Sequence, residues 1–237
     1  NIISTYSPDY IELGSIVSPK VLPQFEDSIP LYRWASTLYS GQEFYMLTPN
    51  HKAVKIAIEN DISNLSFITS VSDEFQKKNI KKSLDETKLE LDKMFNEIDK
   101  DINTVKNIKL YVSCIDECPI SGKIDIEKII EEVRYYNDTY DRVDKICLSD
   151  TCGTLKFSTF KKIITELDKY VPYYKLSLHL HFSDYENISK IIEYAYSMGI
   201  IELDISSLEN SGGCSVTIDK GKTHANLSYT ILDSIDF

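Results

Sequence analysis

Glycine and proline are scarce, at 8 and 7 of 237 residues. Flexible linkers and low-complexity segments are built from such residues. None stands out, so residues 1–237 read as a single domain. No run of 18 apolar residues occurs, so no segment reads as a membrane-spanning helix. Positive charge is also short: 26 Lys and Arg stand against 37 Asp and Glu, a net charge of −11. A general nucleic-acid binder needs the opposite balance, because its affinity rests on cations against phosphate. The opening NIISTYSPDY lacks a basic region followed by an apolar stretch, so it does not read as a signal peptide. It also lacks Met, which leads us to expect residues upstream. The five cysteines are an odd number, which suits a reducing intracellular compartment (cytoplasm or mitochondrial matrix) better than a secreted disulfide framework. Cys114 and Cys118 have no second Cys pair to complete a zinc site and read as structural.

Short apolar or β-branched runs recur at 10–15, 44–49, 65–70, 108–114, 145–150, 176–181 and 201–206. Helical patterns lie between most of them. Ser83-Leu84-Asp85-Glu86 reads as a capping box opening a helix to about Lys100. Asp125 and Ser158 read as caps of two further helices, and a fourth runs from about Asn187 to a stop at Gly199. Strand and helix in alternation predict βα units on a parallel sheet. Seven strands are legible. A doubly wound sheet accommodates seven; a (β/α)8 barrel closes with eight. Polar residues gather just after the strands, at Glu12, Ser15, Thr48, Asn50, Ser113, Ser149, Asp150, the histidines, Asp204 and Ser206. In a barrel those ends carry the chemistry.

The chain has four histidines, and two are one residue apart in LSLHLH. On a strand His179 and His181 project from one face, about 6.6 Å apart at roughly 3.3 Å per residue. Two neutral imidazoles so placed could chelate one cation. They could equally be two satisfied polar residues at a strand end. His51 and His224 read as surface residues, and Lys77, Lys78, Lys81 and Lys82 as a solvated face able to attract phosphates.

Seven segments occur in order: IELGSIVSPKVLPQ (11–24), MLTPN (46–50), DEFQKKNIKKSLDET (73–87), YVSCIDECPISGKI (111–124), ICLSDTCG (146–153), HLH (179–181) and GGC (212–214). Together they resemble the 3-hydroxy-3-methylglutaryl-coenzyme A lyase family, within a wider family of metal-dependent barrel lyases and Claisen-condensing enzymes. The resemblance implies a (β/α)8 TIM barrel with its first strand missing from this chain. It implies retro-Claisen cleavage of a CoA thioester to acetyl-CoA and acetoacetate, and a Mg2+ or Mn2+ ion. His179, His181 and Asn226 match the family's metal ligands. Cys214 matches the catalytic cysteine of its Gly-rich loop, and Glu12 and Asp150 match two acids of its active-site motif. It admits a homodimer and implies neither nucleic-acid nor membrane partners.

The chain departs from that pattern in three places. Phe182-Ser183-Asp184-Tyr185 follows the histidines where the family has an acid and soon a Gly. The cysteine loop reads Asn210-Ser211-Gly212-Gly213-Cys214-Ser215 rather than G-L-G-G-C-P. No strand bearing the family's Arg-Asp pair precedes Tyr10. Two rival expectations follow: a condensing acyltransferase acting on a 2-oxo acid, and a barrel without catalysis that serves in binding or structure.

Overall fold

The computed structural model describes residues 5–221 and 224–235. Six strands form one sheet in chain order: β1 (Tyr10–Ser15), β2 (Glu43–Leu47), β3 (Asn64–Ser70), β4 (Asn107–Ser113), β5 (Lys145–Ser149) and β6 (Leu176–His179). The β1–β2, β2–β3 and β5–β6 pairs are parallel. The fold is that of the TIM-barrel class, as the alternation of strand and helix requires. Strands covered on both faces should be apolar nearly throughout. β3 meets the burial half of that rule: six of its seven residues are buried.

Two compact units share β3 and β4. The first runs to Ile68 and takes in Glu86–Leu110. It holds β1, β2 and the helices α1 (Ser28–Leu38) and α2 (His51–Glu59), with most of α4 (Leu84–Ile98). Asn50 caps α2 by accepting the Ala53 N–H at 3.0 Å. Leu91, Met94 and Ile98 of α4 are buried, with Phe95 edge-on to Phe67. Lys109, fully buried in β4, donates to the Tyr10 hydroxyl at 2.7 Å.

The second unit comprises Thr69–Asp85 and everything from Tyr111 onward. It holds α3 (Asp73–Ile80), α5 (Ile126–Thr139), α6 (Phe157–Leu167), α7 (Tyr185–Ser197) and short helices at Ser215–Asp219 and Tyr229–Asp233. α6 buries Phe160, Ile163, Ile164 and Leu167, the i, i+3, i+4, i+7 face of an amphipathic helix. Each such side chain contributes on the order of 1.5–3 kcal/mol.

Three local expectations need correction. Residues 201–206 form no strand element; they carry two isolated parallel bridges, Leu203 to Leu178 and Ser206 to Ser228, and Ile201 stays exposed. Ser158 does not cap α6. The helix begins at Phe157, whose N–H is held by Asn187 Oδ1 at 2.9 Å, while Asn187 Nδ2 donates to Leu155 O at 2.8 Å. Asp125 stands at the N-cap of α5 but makes no side-chain cap bond. α7 begins at Tyr185, close to the expected start at about Asn187, and Asp184 caps it by accepting the Asn187 N–H at 2.8 Å. Among the described residues no helix is long and apolar enough to cross a membrane.

Candidate functional site

β6 ends at His179, and the chain continues through Leu180 into an antiparallel bridge between His181 and Asn226. Phe182 N–H donates to Ala225 O at 2.7 Å and Leu227 N–H to Leu180 O at 3.0 Å, so the bridge is firmly zipped. The two imidazoles stay neighbours, as the alternation predicts, with ring centroids 5.3 Å apart at 67°. His179 Nδ1 lies 3.3 Å from Asp204 Oδ2. Its ring also meets Tyr111 edge-on at 6.0 Å.

His181 is buried, and its Nδ1 has no hydrogen-bond partner. Neither has Asn226 Oδ1, directly opposite. Leaving a buried polar atom unpaired costs about 1–3 kcal/mol. Burial first, then the charges of His179 and His224, pushes His181 down to about 3. Its imidazole is therefore neutral at pH 7, with a lone pair to give. With its hydrogen on Nε2, the imidazole would turn a bare Nδ1 toward an amide oxygen that also lacks a partner, an arrangement that fits a divalent cation. Among the described residues no three or more His, Cys, Asp or Glu gather closely enough to hold a metal. The candidate set of two His and one Asn falls outside that class and has no acidic ligand.

Asp150 follows β5 and sends its N–H to His179 O at 3.0 Å. Its carboxylate is buried and caps its own turn: Oδ1 accepts from Thr154 N–H and Oδ2 from Leu155 N–H, each at 3.2 Å. Burial pushes its carboxyl up to about 6, the two N–H donors and that of Gly153 oppose, and the neighbouring Asp116 adds to the rise. A cleft of about 390 Å³ lined by Asp116, Lys123, Asp125, Glu127 and Thr159 includes none of the predicted site residues.

Cys214 is the N-cap of the Ser215–Asp219 helix, its N–H bonded to Thr217 Oγ1 at 2.9 Å. It packs against a cluster of Phe75, Cys114, Cys118 and Val216. Its loop rests on the bridge: Asn226 N–H donates to Ser211 O at 2.7 Å, and a Cβ on Gly212 would lie 2.7 Å from Asn226 Oδ1. Glu12, in the first unit, accepts a short hydrogen bond from Ser66 Oγ.

The second unit thus joins His179, His181, Asn226 and the Asp150 backbone in one hydrogen-bonded neighbourhood, and Cys214 reaches it through its loop. Asp204 is visible in the sequence only as one of several strand-end polar residues. The alternation Glu202, Asp204, Ser206 against Leu203 and Ile205 is the signal that sets it on one face. His224 is exposed as expected, with its ring laid over Gly153; His51, by contrast, is half-buried and 3.3 Å from Glu97. Lys77 pairs with Asp73 at 2.5 Å and Lys81 Nζ turns back to Lys78 O, as befits a solvated face.

Parallel strands alternating with helices define an α/β protein of the TIM-barrel class. A profile described as HMGL-like matches residues 36–206, and the chain belongs to that family. It is 30% identical over 207 residues to a mitochondrial hydroxymethylglutaryl-CoA lyase of Bos taurus, covering 86% of this chain and 60% of the relative, so it spans well under two thirds of that protein. It is 26% identical over 212 residues to a 3-hydroxy-3-isohexenylglutaryl-CoA/hydroxy-methylglutaryl-CoA lyase of Pseudomonas aeruginosa, covering 90% of this chain and 68% of that one. An HMG-CoA lyase structure from Acinetobacter baumannii, in complex with coenzyme A and 3-methylmalate, superposes with a TM-score of 0.78 at 23% identity, over 96% of this chain and 71% of that one. At that identity the likeness concerns the fold.

Proposed function

We propose that this chain cleaves 3-hydroxy-3-methylglutaryl-CoA to acetyl-CoA and acetoacetate, with His179, His181 and Asn226 holding a Mg2+ or Mn2+ ion. The observation that carries the reading is the pair of buried polar atoms without hydrogen-bond partners, His181 Nδ1 and Asn226 Oδ1. The bound ion would supply Lewis-acid polarisation of the substrate hydroxyl. The chain's own groups do the rest. Asp150, with its carboxyl near 6, takes the hydroxyl proton. The electron pair of the breaking C–C bond moves to the thioester carbonyl, leaving the enolate of acetyl-CoA, and the hydroxyl carbon becomes the ketone of acetoacetate. The Cys214 thiol protonates the enolate carbon. Glu12, tied to Ser66, orients partners rather than moving protons. The odd count of five cysteines supports work in a reducing intracellular compartment.

A second reading, a barrel that binds without catalysis, draws on two observations. Both Asp150 oxygens already serve its turn, and Cys214 packs against an apolar cluster. A coupled assay for acetoacetate separates the two. Mn2+-dependent acetoacetate release, abolished by chelation, supports the lyase. Metal binding with no turnover supports the binding barrel. Product formed only from acetyl-CoA and a 2-oxo acid points to a condensing acyltransferase.

A further inference from the structure

We infer that Asp204 is a positioning residue: its carboxylate fixes the His179 imidazole with the proton on Nδ1 and so leaves the lone pair on Nε2 for a cation. The cation rests on the function proposed above; the hold on the ring does not. Backbone register brings the two side chains together. Leu178 N–H donates to Glu202 O at 3.0 Å, and Asp204 N–H to Leu178 O at 2.9 Å, around the parallel bridge of Leu178 to Leu203. With those two leucines opposite each other, the next residue on each segment, His179 and Asp204, meets on the other face.

The contact is 3.3 Å from Nδ1 to Oδ2, with side chains only 27% and 15% exposed. An ionised carboxylate can only accept, so the ring nitrogen that faces it must carry the hydrogen. Cys147 Sγ–H approaches the same oxygen at 3.8 Å. It comes from the same face, because Cys147 pairs with Ser177 and Ser149 with His179 in the β5–β6 register. Tyr111 meets the His179 ring edge-on at 6.0 Å, and His181 lies at 5.3 Å, so aromatic neighbours pack the ring as well.

The two histidines are thus held differently. His179 has a carboxylate behind one nitrogen, whereas His181 Nδ1 has no partner. The distinction matters electrostatically too. None of the three candidate ligands His179, His181 and Asn226 is acidic, and Asp204 places a carboxylate directly behind His179. Partners of this kind set ligand tautomer and basicity, and their loss typically costs 10–100-fold in metal affinity.

The test uses the whole chain, metal-free, at pH 8, with 15N signals of the histidine rings as one readout and Mn2+ calorimetry as the other. In the parent, His179 should show a protonated Nδ1 and a bare Nε2. Asp204→Ala removes the acceptor. It should shift His179 toward the Nε2–H form and weaken Mn2+ binding 10–100-fold. A parent His179 protonated on Nε2 overturns the inference. So does an Asp204→Ala chain with unchanged ring signals, even if affinity falls, because the carboxylate would then act by charge alone. Changed ring signals with unchanged affinity overturn its role toward the metal. If the parent binds no Mn2+, the metal reading fails, and the ring signals alone decide whether Asp204 orients His179. Should Asp204→Ala fail to fold, the parent ring signals decide it.

Discussion

At the His181–Asn226 bridge two buried polar atoms meet no partner, whereas around Cys118 several donors converge on one sulfur: the Ser72 hydroxyl at 3.0 Å, Ile120 N–H at 3.3 Å and Ser121 N–H at 3.4 Å. Both lie in the second unit, and both are polar islands in apolar surroundings. Their titration runs in accord. Burial drives His181 to its neutral form. Cys118 is driven below the usual thiol range, chiefly by the Cys114 S–H and then by Ser121 and Ser72, against the penalty of burial. Cys114 is pushed up by its own burial and stays a thiol. The lesson is about sign. A buried cluster supplied with donors keeps a negative charge of its own; one left without partners has room for a charge from outside.

Cys214 packs against the sulfur cluster while its loop sits on the bridge, so it offers the largest effect. Cys214→Ser should keep Mn2+ binding and lower acetoacetate turnover by about 10² to 10⁴, the usual range for an acid–base group. Undiminished turnover would end its role as proton donor.

Asp150 comes next. Its carboxyl sits at about 6 against an ordinary 3.8, so folding favours the protonated form. That stabilisation is full below about 3.8 and is lost as pH rises through about 6. A difference of roughly two units corresponds to about 3 kcal/mol. Urea midpoints at pH 4 and pH 7 should therefore diverge less in Asp150→Asn than in the parent. An identical pH dependence in both would mean that Asp150 is not the group responsible.

Ser72→Ala removes one donor from Cys118. A hydrogen bond to a charged group is worth about 1.5–3 kcal/mol, so the thiol should titrate roughly one to two units higher, read from thiolate absorbance. No movement would mean that the remaining donors suffice and that the contrast between the clusters is weaker than drawn. The smallest effect belongs to the bridge. His181→Ala should weaken Mn2+ at least tenfold, about 1.4 kcal/mol, by calorimetric titration. Binding equal to the parent would remove His181 from the site.

Much of this fold is legible in the sequence because it depends on local period. The strands β1 to β6 follow apolar and β-branched runs, and the faces of α4 and α6 follow 3.6-residue spacing. The histidine pair follows from alternation alone. What escapes depends on partners distant in sequence. Ser158 has the right chemistry for a cap, but Asn187, 30 residues on from Phe157, supplies the acceptor. The 201–206 segment alternates like a strand, yet its described pairing within that span includes only one bridge to the sheet, at Leu178. Asp204 gains its distinction only from lying beside His179, 25 residues away. Asp150 is open to two readings, turn cap or site acid, and its carboxylate does cap the turn.

The short segment from His224 to Asn226 leaves its imprint on two distant glycines. A Cβ on Gly153, at φ +66, would come within 2.7 Å of His224, and one on Gly212, at φ +135, within 2.7 Å of Asn226 Oδ1. A Cβ on Gly41, by contrast, would meet nothing within 4 Å. In a saturation library the first two positions should tolerate almost nothing, while Gly41 accepts broadly. A geneticist scoring such a library would find the bridge marked out by intolerance at 153 and 212, two sites carrying no functional group of their own.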